Sequence, residues 1–253
     1  MYIWKCWRDT RGAFISTCVI LFAVVAFHAA VTLDYASWAP ARGPSALLWR
    51  ATAAAIGELV RALVMLTGFA FGACGLGEEF HRGTVPFLLA RPRSRGYFVW
   101  TGWAMGAAQL ALLVPLGYLV SAQFGTRWLQ RDAVWQAATS AVPLKWPEAE
   151  AWKMILAIYI MALVFYSLTY FTTLLMRGAR NGMNTAVLVV CAYFGIAVLL
   201  YGVWQKELPV VWRMLGELSR PPFAFPTASA AGWLAVALAF PVLSHWIFRR
   251  AEV

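Results

Sequence analysis

Residues 77–95 read GEEFHRGTVPFLLARPRSR, and the fold turns on how this stretch is placed. It gathers Glu78, Glu79, Arg82, Arg91, Arg93 and Arg95 around two prolines, two glycines and a leucine pair. On either side the chain is apolar, over residues 55–76 and 97–122. A transmembrane helix needs about 20 mostly apolar residues, and both flanks meet that length. A charged, punctuated insert between two such runs is a short connection between membrane spans.

The same measure applied outward finds residues 13–33, 154–176, 183–204 and 228–247. The expectation is an all-α, polytopic integral membrane protein with six transmembrane helices, forming one transmembrane domain over residues 1–253. Composition agrees. Of 253 residues 62% are hydrophobic and 13% charged, against roughly a quarter charged in soluble domains. The net charge of +10 is scattered between apolar runs rather than gathered with aromatic stacking platforms, so nucleic acid is not the expected partner. Three of the four cysteines, Cys18, Cys74 and Cys191, fall inside apolar runs and the fourth is Cys6, which implies no disulfide framework. The first apolar run has 21 residues, longer than the roughly 7–15 of a signal-peptide core. It is expected to remain as an anchor.

Orientation follows from Lys and Arg in the connections. Those on the side of the N-terminus and of residues 77–95 are about twice as dense as those on the other side, which predicts cytosolic N- and C-termini in a cell membrane. Residues 1–12 alternate Ile3, Trp4 and Trp7 with Lys5, Arg8 and Asp9, a pattern suited to a helix lying in the membrane interface. Two outside loops, residues 123–153 and 205–227, are long enough to carry amphipathic helices around Trp128, Trp135 and Ala138 and between Pro209 and Pro221.

Within residues 77–95, Thr84 is a suitable N-cap, Pro86 fits the first turn, and Pro92 stops the helix because it drives its predecessor out of helical geometry. Ser94 then caps the third span. The result is a short helix standing off the membrane, with Val85, Leu88 and Leu89 on one face, and such a face wants a protein partner. Glu78 and Arg82 are spaced as an i,i+4 surface pair, and Arg91, Arg93 and Arg95 also serve as topology signals.

The order of these features, an acidic residue, Gly-Thr, leucines, Pro and Ser-Arg after the second of six spans, resembles the ABC-2-type permease family of ATP-driven transporters. The matching residues are Glu78 or Glu79, Gly83, Thr84, Leu88, Leu89, Pro92, Ser94 and Arg95. In that family this segment is the coupling helix that fits a groove on a separate ATPase subunit. The resemblance therefore implies a transport subunit, with ATP and Mg bound on the partner ATPase and no cofactor on this chain, working with a second permease copy or a related permease chain. One departure is the lack of lysine in residues 97–101, where the family often has one. No G-x-x-x-x-G-K-[ST] loop occurs in the chain, so any ATP site belongs to another polypeptide.

Inside the membrane, Gly68 with Gly72 and Gly102 with Gly106 form small-xxx-small pairs at matching depth, and the two pairs are expected to face each other. Tyr159, Tyr166, Thr169, Tyr170 and Thr173 form a polar stripe on the fourth span, either lining a substrate path, with Tyr166, Tyr170 and Thr173 as its candidates, or bonding neighbouring helices. Glu58, Arg61, His28 and His245 are the ionisable groups near lipid. None has partners at metal-ligand spacing, and neither G-x-S-x-G nor H-E-x-x-H occurs, so no catalytic or metal site is expected. The rival classes are a secondary transporter, which would show inverted repeats and broken helices, and a membrane-embedded enzyme, which would show clustered catalytic groups at one face.

Overall fold

The computed structural model describes residues 2–38, 63, 66–74, 76–86, 90, 94–121, 151–204, 214 and 225–250. Six helices order these residues: α1 (Tyr2–Trp38), α2 (Leu76–His81), α3 (Arg95–Ser121), α4 (Ala151–Leu175), α5 (Ala179–Trp204) and α6 (Thr227–Arg250). Residues 66–73 are helical as well. Among the described residues four stretches are long and apolar enough to cross a membrane: Arg95–Gly117, Trp152–Leu175, Ala179–Val203 and Thr227–Arg250. The protein is a polytopic helical membrane protein. The third to sixth expected spans fall on α3 to α6, with starts a few residues earlier than the hydropathy pattern placed them. Much of residues 55–76, with Glu58 and Arg61, lies outside the described residues, as do nearly all of the two expected outside loops.

The N-terminal segment differs from its expectation. Residues 1–12 are not a separate interfacial helix: α1 runs unbroken from Tyr2 to Trp38 and carries residues 13–33 within it. Nothing between Asp9 and Ala13 stops a helix, since no proline interrupts it and Gly12 alone costs only about 1 kcal/mol. The early turns are also held by packing. Tyr2, Cys6 and Thr10, spaced four apart, are buried, while Ile3 and Trp4 on the other side are exposed.

The hub is α4. Of its membrane-length stretch 78% is buried, against 6% for α5, so α4 sits inside and α5 faces outward with Leu188, Val198 and Leu199 exposed. Lipid-facing helices carry such apolar surface without cost. The polar stripe of α4 is turned inward. Tyr170 donates to the carbonyl of Val99 (2.8 Å), Tyr166 to that of Trp103 (2.9 Å) and Tyr159 to that of Ala107 (3.3 Å), three carbonyls one turn apart along antiparallel α3. Trp103 returns a bond from its indole N–H to Ser167 Oγ (2.9 Å). Buried hydroxyls in lipid must find acceptors within the protein, and here they stitch α3 to α4.

The glycine pairs do not face each other, which corrects the expectation. A Cβ on Gly68 would meet the Ala162 carbonyl oxygen at 2.5 Å, and one on Gly72 would meet Thr169 Cβ and the Tyr166 carbonyl oxygen at 2.6 Å. On α3, Gly102 and Gly106 lie under the hydroxyls of Tyr170 and Tyr166. Both pairs therefore close onto α4 from two sides. A small-xxx-small spacing marks where a helix is approached closely, and large tyrosines filling the interhelical space made α4, rather than the other glycine pair, the approaching surface.

A tight turn joins α4 to α5. Gly178 N–H bonds to the Thr173 carbonyl (3.2 Å) and Arg177 N–H to that of Leu174 (3.4 Å), the paired bonds of a Schellman ending. The left-handed position that such an ending requires is filled by Arg177, at φ 51°, one residue before the glycine. A side chain in that region costs roughly 1–2 kcal/mol. Arg177→Gly is thus expected to stabilise the protein by about 1 kcal/mol, read as a raised midpoint of thermal unfolding in detergent.

Candidate functional site

The charged stretch after residues 66–74 begins with a helix that the sequence reading did not resolve. α2 covers only Leu76–His81, with Glu78 and Glu79 in its first turn, where carboxylates meet unpaired backbone N–H groups favourably. Its ending is legible in retrospect. Thr84 N–H bonds to the Glu79 carbonyl (3.0 Å) and Gly83 N–H to that of Phe80 (3.2 Å), with Gly83 left-handed at φ 65°. This is a second Schellman ending, here with glycine in its usual place. The Gly-Thr pair therefore closes one helix, and Thr84 opens the next: Val85 and Pro86 are helical, and Ala90 N–H bonds back to the Pro86 carbonyl (3.0 Å). Leu88, Leu89 and Pro92 lie outside the described residues.

Glu79 is the centre of the site. Its side chain is 4% exposed and its carboxylate accepts from Lys5 Nζ of α1 at 2.6 Å. Its other oxygen accepts a short hydrogen bond from the Thr84 hydroxyl. Glu79, Gly83 and Thr84 are thus tied in one turn, and Lys5 ties that turn to the N-terminal helix. Burial opposes the charge on Glu79, yet the hydrogen bonds from Lys5 and Thr84 prevail and hold its carboxyl below the ordinary range. Asp9, also on α1 and with its side chain 6% exposed, is shifted the other way. Burial raises its carboxyl first, and the neighbouring Glu79 charge adds to this.

Around this centre the segment is anchored on three sides. Glu78 and Arg82 form the expected i,i+4 surface pair, at 3.2 Å. Gly77 lets α2 approach the α4–α5 turn, since a Cβ there would meet Thr173 Cγ2 at 2.2 Å and Ala179 Cα at 3.3 Å. Phe80 meets Phe248 of α6 edge to face, with ring centroids 6.4 Å apart. Arg95, heading α3, reaches the Arg249 carbonyl at 3.4 Å, and the Ser94 hydroxyl accepts from Tyr97 N–H (3.3 Å) as the expected cap. Val85 was expected on a face offered to a partner. It is instead 3% exposed and part of this chain's own core, because the turn at Gly83 folds it inward.

The remaining candidates are placed elsewhere. Tyr166 and Tyr170 give their hydroxyls to α3 carbonyls, while Thr173 is 1% exposed and its buried hydroxyl has no hydrogen-bond partner among the described residues. His245 fills the space that Gly96 leaves, a Cβ there meeting its Cε1 at 2.3 Å. The side chain of His28 is outside the described residues. Gln109, which sequence reading passed over, donates from Nε2 to Thr10 Oγ1 at 2.7 Å, both groups being buried. A lone glutamine in an apolar run was the available signal, since lipid gives an amide no partner. All four cysteines are free thiols, and among the described residues no three His, Cys, Asp or Glu side chains lie together as a metal site.

The family profile matched over residues 13–253 carries the description "Protein of unknown function (DUF2705)". No curated protein matches the chain. The chain belongs to the DUF2705 family.

Proposed function

We propose that this chain is the membrane-spanning subunit of an ATP-driven exporter of the ABC-2 type, with six spans and both termini in the cytosol. Residues 77–95 couple it to a separate ATPase subunit that binds ATP and Mg. Two copies, or this chain and a related one, form the path across the cell membrane. The reading is carried by one observation: the acidic residue and Gly-Thr of the resembling motif meet in a single hydrogen-bonded turn, with Thr84 N–H and hydroxyl both returning to Glu79. A mechanical link needs a segment that moves as one piece, and a hydrogen-bonded turn at the C-terminal end of α2 supports that reading.

Two further features support the reading. The turn is braced by α1, α6 and the α4–α5 connection rather than hanging from one loop, so a push on it reaches several helices. α1 brings a fifth long helix and residues 66–73 part of a sixth, which is the number that places both termini on one side. The test is ATP turnover. The chain is coexpressed with an ABC-type ATPase from the same cell, purified in mild detergent and placed in vesicles. ATP hydrolysis that depends on the chain supports the proposal, and hydrolysis indifferent to its presence counts against it.

A further inference from the structure

The first turns of α1 divide their basic residues between two sides. Lys5 is held by Glu79 of α2, and Tyr2, Cys6 and Thr10 are buried in the bundle. Arg8 and Arg11 are exposed on the other side, three residues apart and so neighbours on one helix face. That face continues without a break. Trp4, Arg8, Arg11, Ile15, Val19 and Phe22 follow one another at steps of three or four residues, and all six are exposed. Gly12, next to the arginines, has nothing within 4 Å of where a Cβ would stand, so the helix backbone can be approached there. The neighbouring carboxylate, Asp9, lies 3.7 Å from Arg8 Nε, beyond hydrogen-bond distance, and is itself turned inward.

The buried face fixes the height of these arginines. Tyr2 meets Phe98 edge to face at 4.8 Å, and Thr10 receives the Gln109 amide at 2.7 Å, so α1 and α3 run side by side in the same direction. Arg8 and Arg11 therefore stand beside the half of α3 that begins at Arg95, on the side read above as cytosolic. Between Arg11 and Ile15 the exposed face changes from tryptophan and arginine to purely apolar, the order in which a bilayer passes from headgroups to acyl chains. From Arg11 to Phe22 is 11 residues, about 16 Å of helix. One leaflet's share of a roughly 30 Å hydrocarbon core has the same depth. A guanidinium at this boundary is matched by phosphate, whose oxygens its planar fork takes two at a time. Two of them one turn apart suit a headgroup in which no ammonium offsets the phosphate charge.

We propose that Arg8 and Arg11, with Trp4 and Gly12, bind the headgroup of one anionic phospholipid, whose chain lies along Ile15, Val19 and Phe22. Arg249 and Arg250 at the end of α6 do not form an equivalent site. Residues adjacent in sequence diverge by about 100° around a helix, and Arg250 is stacked on Trp246, 3.9 Å from its ring centre.

The site needs no ATPase and is tested on this chain alone. The chain, purified in mild detergent, is given an equimolar mixture of phosphatidylglycerol and phosphatidylcholine, and the bound lipids are counted by native mass spectrometry. Wild type is expected to retain phosphatidylglycerol preferentially. Arg8→Gln with Arg11→Gln lowers that retention about tenfold or more, through the loss of two basic contacts to anionic lipid. Arg8→Lys with Arg11→Lys, which keeps the charge and loses the fork, falls between the two. Arg249→Gln with Arg250→Gln removes equal charge and keeps the wild-type preference. All these changes are at exposed side chains and leave the thermal midpoint unchanged. No lipid preference in wild type would overturn the site. Equal losses from the α1 and α6 pairs would also overturn it, reducing it to the general attraction of a basic surface. Displacement of the lipid by inorganic phosphate would do so too, since an anion would then be held without its chain. Capture or loss of an ATPase bears on the coupling proposal and leaves each of these outcomes as it is.

Discussion

Gly72→Leu is expected to prevent the described bundle from assembling. A Cβ at this position would stand 2.6 Å from both Thr169 Cβ and the Tyr166 carbonyl oxygen, and 2.9 Å from the Tyr170 amide nitrogen. Backbone atoms of a central helix cannot step aside as the end of a flexible side chain does. Overpacking of a tight interior usually costs about 1–3 kcal/mol, and a leucine forced onto the α4 backbone belongs at or above the upper end. Gly106→Leu is comparable, since its Cβ would meet the Tyr166 hydroxyl at 2.4 Å and break the bond that hydroxyl gives to Trp103. Gly102→Leu falls below both, its nearest neighbour being the Tyr170 hydroxyl at 3.0 Å. Gly232→Leu is the control, with nothing within 4 Å, and should stay within about 0.5 kcal/mol of wild type. Monodispersity after size exclusion and the thermal midpoint separate the variants. Equal behaviour of Gly72→Leu and Gly232→Leu would refute the placement of residues 66–73 against α4.

The second large effect concerns the leucine pair. Leu88→Asp with Leu89→Asp is expected to abolish capture of an ABC-type ATPase while leaving expression, membrane insertion and the thermal midpoint unchanged. The sequence places both leucines between the Thr84 cap and Pro92. Val85, the third apolar residue of that face, is already taken into this chain's core, so partner contact rests on the leucines alone. Interface cores are built from such apolar anchors, and those that act as hot spots cost about 2 kcal/mol or more when truncated. Two buried carboxylates in place of two leucines add desolvation without pairing. Retained capture would mean that the ATPase, if it binds, sits elsewhere.

Much of the fold was legible because hydropathy measures transfer of a helix into lipid, a property each segment carries by itself. α3 to α6 were found on that basis, to within a few residues at their starts. Punctuation was legible for the same local reason: Ser94 accepts from Tyr97 N–H as a cap, and Glu78 with Arg82 pair at helical spacing. What stayed hidden was which surface faces which. Gly68, Gly72, Gly102 and Gly106 announced close approach, but the approaching partner is α4 in both cases, and no local pattern distinguishes it. The α1 residue Lys5 lies more than sixty positions before Glu79, so their ion pair is a fact of tertiary packing. α2 was overlooked because six residues give too little periodicity, although Glu78 and Glu79 at its start and Gly83 at its end are ordinary helix-boundary signals.

The central claim is that residues 77–95 are where this membrane subunit meets its ATPase. Its most direct test is side-by-side purification, in mild detergent, of the wild-type chain and the Leu88→Asp, Leu89→Asp variant, each coexpressed with an ABC-type ATPase from the same cell. The expected result is stoichiometric ATPase with the wild type and none with an equally folded variant. Equal amounts of ATPase with both, or none with either, would contradict the claim.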